Sequence, residues 1–122
     1  MTVNLADAPQ FPVRATAKER VISGMTVAVG AAGATTETDS DDAKWTCAAF
    51  ASGVAAITFP ACPSGRLRFA IKSAAATVTE CIATALDVTA GTGTLTTSKA
   101  GVATTPASGD KIFVELIGTV AP

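Results

Sequence analysis

The 122-residue sequence predicts an all-β protein. The expected architecture is a single-domain β-sandwich or flattened β-barrel of about eight strands, with an extended N-terminal arm. Residues 1–20 form the arm and residues 21–122 the β-domain. Two observations carry this. Short stretches of alternating apolar and polar residues, rich in Val, Ile, Thr and Phe, are bounded by Gly, Pro, Asp and Ser. The run Lys111–Val120, entered through the turn Gly109-Asp110, is apolar on both faces. Ile112, Val114, Leu116 and Val120 share one face, and Lys111, Phe113, Glu115, Ile117 and Thr119 the other. Such a strand is expected to be central, covered on one side by its own core and on the other by a second layer or a neighbouring subunit.

In the arm, Pro9 and Pro12 flank Gln10 and Phe11, and Pro12 biases Phe11 toward extended backbone. Arg14, Lys18 and Arg20 add positive charge against Glu19 alone. The arm is either a solvated terminus or a segment laid on a neighbouring, more acidic surface with Phe11 as its anchor. Val21–Val29 alternates as a strand with a bend expected at Gly24, placing Val21, Ser23, Met25, Val27 and Val29 on one face. A loop follows through Glu37, Asp39, Asp41 and Asp42, the densest charge cluster in the chain. Asp39-x-Asp41 matches the opening of a calcium loop, but the glycine and glutamate such a loop needs further on are missing. A solvated loop is the simpler reading.

Lys44–Phe50 is compatible with a strand or a helical turn, and Trp45 is expected in the core or an interface. Val54–Phe59 reads as a strand stopped by Pro60-Ala-Cys-Pro63. Arg66–Lys72 alternates most cleanly, with Leu67, Phe69 and Ile71 inward and Arg66, Arg68 and Lys72 outward. Those outward charges are either gatekeepers against edge pairing or a basic stripe for an acidic partner. Thr77–Thr89 is read as a strand rather than a helix because of its Thr and Val content, with Val78, Ile82, Leu86 and Val88 on one face. Leu95 and Val102 are expected in short paired strands around the turn Lys99-Ala-Gly101.

Charged residues make up 16% of the chain, the net charge is −1 and the mean hydropathy is +0.42. The apolarity is carried by Ala and Val spread among Thr, Ser and Gly, so no membrane span is expected. A subunit that hides part of its surface in an assembly fits this balance. Without a concentrated basic patch, nucleic acid is not the expected partner. The sequence has no His, which removes the commonest general base and metal ligand. Cys47, Cys62 and Cys81 lack CxxC spacing and read as free thiols, with Cys47–Cys62 the pairing to consider if one bridge forms. No signal-peptide pattern opens the chain, so synthesis in a reducing cytoplasm is expected. Gly91-Thr-Gly93 lacks the Lys-Ser or Lys-Thr of a phosphate loop, and Ser40-Asp-Asp-Ala-Lys44 is one residue too long for Ser-x-x-Lys. No catalytic site, cofactor or metal is expected.

Three stretches resemble the small virion proteins of tailed bacteriophages, most closely the capsid decoration (cement) proteins. They are the arm running into Val21–Val29, the hairpin text Leu86–Thr97, and Ala107–Gly118. Trp45, the three cysteines and the Pro60–Pro63 turn lie outside that pattern. The resemblance implies a non-enzymatic homotrimer that binds assembled major capsid protein on the outer surface of the virion capsid, with no nucleic-acid or membrane partner. Phe11, Arg14, Lys18 and Arg20 of the arm would then lie on the capsid or a neighbouring subunit, and Phe113 and Ile117 would pack between subunits. Three alternatives stand beside it: a tail or head–tail component, a carbohydrate-binding β-sandwich, and a calcium-dependent module using the acidic loop.

Overall fold

A computed structural model describes residues 18–38 and 43–120. In chain order its strands are β1 (Lys18–Val29), β2 (Thr35–Thr38), β3 (Thr46–Cys47), β4 (Val54–Thr58), β5 (Arg66–Lys72), β6 (Glu80–Asp87), β7 (Thr92–Lys99), β8 (Val102–Ala103) and β9 (Lys111–Val120). They form two antiparallel sheets. One runs β2-β1-β9-β5; the other runs β3-β4-β7-β6, with β8 paired to β7. The expected all-β sandwich is therefore the fold, with nine strands among the described residues. Much of the arm, Phe11 and Arg14 included, and the loop residues Asp39, Asp41 and Asp42 lie outside the described residues.

β9 is central, as its two apolar faces predict, pairing with β1 on one side and β5 on the other. Alternation puts Ile112, Val114 and Leu116 wholly inside, beside Met25, Val27 and Val29 of β1. Leu67, Phe69 and Ile71 of β5 pack against the same core. The second sheet answers with Cys47, Ala55, Ile57 and Leu95, and the interstrand residues Trp45, Phe50 and Phe59 complete the layer. Each fully buried Val, Leu or Ile contributes about 1.5–3 kcal/mol, so the interface between the sheets dominates stability. At one edge the sheets are tied by Thr35 Oγ1, which donates to the Cys47 carbonyl at 2.7 Å.

Polar groups that enter the core are satisfied. Trp45 is 2% exposed, so its place in the core is as expected, and its Nε1–H donates to Ser23 Oγ at 2.5 Å. Asp110, buried before β9, accepts from Ser73 Oγ at 3.0 Å and from the Ala107 backbone N–H at 2.9 Å. All three cysteines are free, with Cys47 buried and Cys62 and Cys81 half-buried.

Two details of the expected strands need correction. The bend in β1 is a bulge at Ile22, where the register slips between Val21 and Ser23, and not a bend at Gly24. The extra residue turns Val21 away from the core face it was assigned. In β6 the apolar face was misplaced: Cys81 pairs with buried Thr97 and packs on the core, while Ile82 is 57% exposed. Small inward residues and a large outward one invert the usual signal. Of the two readings open for Lys44–Phe50, the structure has the strand, as the short β3.

Candidate functional site: the outer face of the four-stranded sheet

Alternation in β1, β9 and β5 presents a second set of side chains away from the core. Register fixes them in rows. Thr26, Phe113 and Ala70 form one row, Gly24, Glu115 and Arg68 the next, and Val21, Ile117 and Arg66 a third. At the other end Ala28, Lys111 and Lys72 lie side by side.

Charge along this face is organised in pairs at one end only. Arg66 grips Glu19 with two bonds, Nη2 to Oε1 at 2.9 Å and Nε to Oε2 at 3.2 Å. The bidentate hydrogen bond and the charge of Arg66 hold the Glu19 carboxyl below its ordinary range, and Glu19 raises Arg66 in return. Arg68 places both Nε and Nη2 on Glu115 Oε1. These pairs are exposed and add little stability, but they fix the side chains. Lys72 and Lys111 are different: they face each other directly across β5 and β9, an arrangement that repels.

Between the two ends lies an apolar surface. Phe113 is 37% exposed and Val21 47%, whereas the bulge residue Ile22 turns toward Gly118 and Cys62 on the other side of the sheet. Gly24 supplies no side chain, and a Cβ there would meet the Val114 carbonyl oxygen at 2.9 Å. The missing side chain leaves an open groove of about 370 Å³, walled by Val21, Ile22, Thr26, Phe113 and Glu115.

Of the residues named from sequence, Phe113 stands on this face as expected. Arg20 is exposed and pairs with Gly118, and Lys18 opens β1 opposite Val120. Ile117 does not offer a free contact. It is 4% exposed, sandwiched between its cross-strand neighbours Val21 and Arg66 while the Arg66–Glu19 pair spans β9 beside it. Sequence reading missed Val21, because alternation assigned it to the core. No local pattern marks the bulge that turns Val21 outward.

This face combines an exposed apolar patch with ion pairs. Among the described residues no three of His, Cys, Asp or Glu gather as a metal site, and no helix is long and apolar enough to cross a membrane. Comparison with protein-family models, curated proteins and solved structures finds no significant match.

Proposed function

We propose that the protein is a non-enzymatic structural virion component, a capsid decoration protein that binds assembled major capsid protein as a homotrimer. The observation that carries the reading is the apolar groove beside Phe113, set on a rigid central strand and flanked by fixed ion pairs. An exposed aromatic ring on a rigid β-surface, with a polar rim, suits a protein–protein contact. Weak contact suffices, since a trimer on a lattice gains strength through effective concentration. The resemblance of the arm, hairpin and terminal strand to decoration proteins supplies the partner. The carbohydrate-binding alternative loses its main feature, because the sole indole is buried in the core.

The test is co-sedimentation of the purified protein with expanded capsids of its own virus. Saturable binding is expected, and Phe113→Asp should weaken it at least tenfold while the isolated protein stays folded. A wild-type protein that never pellets with capsids overturns the reading.

A further inference from the structure

We infer that β6 is a docking edge for the β6 of a second copy, the two strands pairing antiparallel about a two-fold axis at Ile82. The contact belongs to the other sheet from the groove beside Phe113, so it goes beyond capsid binding and stands whether or not the capsid reading holds.

The first argument is that this edge is unguarded. β6 ends the second sheet, and among the described residues it pairs with β7 alone. Long edge strands are normally blunted by cations, proline or shortness, because their free backbone groups template another strand. The other edges follow that rule. β5 carries Arg66, Arg68 and Lys72 on its outward side, and β2, β3 and β8 have four, two and two residues. β1 beyond β2 opens with Lys18, Glu19 and Arg20 and contains the bulge at Ile22. β6 has eight residues with no Lys, Arg or Pro, and its Ile82 is 57% exposed.

Hydrogen-bond phase is the second argument. The Thr97 N–H donates to the Gly53 carbonyl at 2.8 Å and the Phe59 N–H to the Gly91 carbonyl at 2.9 Å, so the odd-numbered residues along β7 bond toward β4. Its even-numbered residues then bond toward β6, where they meet Glu80, Ile82 and Thr84. Cys81 and Ala83 are left with their backbone N–H and C=O aimed out of the sheet edge. Past Thr84 the register shifts and Ala85 has φ 48°, which confines the pairable edge to Glu80–Thr84.

Self-complementarity is the third argument, and it selects a second copy as the occupant. Centred on Ile82, two such edges set Ile82 against Ile82, Cys81 against Ala83 and Glu80 against Thr84. The two Cys81–Ala83 pairs exchange about four backbone hydrogen bonds, and the Ile82 pair between them is of the closer, non-hydrogen-bonded kind. Two exposed isoleucines leave water together, and no like charges are opposed. Shifting the register by two residues one way sets Glu80 against Ile82; the other way runs Glu80 onto Leu86 in the bulge. The contact is isologous and closes at two, and it is small enough to be transient, so it joins larger assemblies in pairs.

The test uses the full chain with Glu80→Cys and Thr84→Cys together in a Cys62→Ser background, oxidised with copper phenanthroline and run on a non-reducing denaturing gel. Across the axis each introduced thiol faces the other kind, whereas like thiols lie about 13 Å apart along the strands, out of disulfide reach. A disulfide-linked dimer is expected from the double variant and none from either single variant. No dimer, or a ladder extending past the dimer, overturns the inference. So does an equal yield from a single variant or from Val54→Cys, which lies on the same face two strands from the edge. Adding Ile82→Lys sets two cations face to face and should cut the dimer fraction about tenfold. A fraction indifferent to that change overturns the proposed register. Circular dichroism of each variant confirms that the β-domain is folded.

Discussion

The bond from Trp45 Nε1 to Ser23 Oγ is a polar contact inside an otherwise apolar layer, with Ser23 itself 7% exposed. Ser23→Ala leaves an indole N–H buried without that acceptor, and such a loss costs about 1–3 kcal/mol. Urea unfolding should show the midpoint falling with an unchanged slope. The thiols supply a second residue-scale prediction. Burial, then the charge of Glu37, pushes Cys47 up to about 12 against an opposing hydrogen bond from Thr35; burial, then Cys47, pushes Cys81 up to about 12. In the unfolded chain these thiols ionise near their ordinary value of 9.0. Above that pH the unfolded state sheds protons the folded state retains, so stability is full below it and declines as pH rises toward the folded value. Thermal melts should therefore hold steady through neutral pH and drop above about pH 9, and Cys81→Ala should lessen the drop. At this scale the sequence was informative about Trp45, whose bulk and apolarity demand burial. It was misleading about Ile117, whose shielding comes from Val21 and Arg66 on other strands.

The strands are joined by turns that use left-handed backbone even where no glycine stands. The β7–β8 hairpin turns on Ala100 at φ 53° and Gly101 at φ 81°, both on the positive side that a two-residue hairpin needs. For alanine that conformation costs roughly 1–2 kcal/mol, whereas asparagine adopts it more readily. Ala100→Asn should raise stability by about 0.5–1 kcal/mol in equilibrium unfolding, with no change in fold. Gly91 is bound to its residue type twice over: φ is +78°, and a methyl group would collide with the Phe59 carbonyl oxygen. Elements with one buried face, such as β5 and β4, were legible because alternation reports burial directly. β6 was legible as a strand but not in its orientation, since Cys81 and Ala83 face the core and Ile82 faces out. The bulge at Ile22 left no clear mark, because an extra residue changes which face follows without changing composition.

For the whole molecule, the sandwich could be read from sequence because its two layers are built by the same rule: every second residue goes in. The site was harder to read. Its Phe113 lies on a strand face that alternation reveals, but the groove depends on Gly24 meeting Glu115 across strands far apart in sequence. Register of that kind is set by the folded pair and by the bulge, and no local pattern encodes it. The lysine pair was hidden for the same reason, Lys72 and Lys111 being neighbours only through the β5–β9 ladder.

The pairing of β1 with β9 has a consequence for how the protein comes into being. β9 is the bridge between β1 and β5, so during translation the first strand emerges with its main partner still unmade. Until β9 leaves the ribosome, β1 and β5 offer open backbone and bare apolar faces, while β4, β6 and β7 can already zip together. Synthesis at roughly 5–20 residues per second leaves that half-built chain exposed for seconds. The four-stranded sheet thus forms as a late, long-range closure, slow for its size and vulnerable to premature association, and it is this sheet that carries the apolar groove.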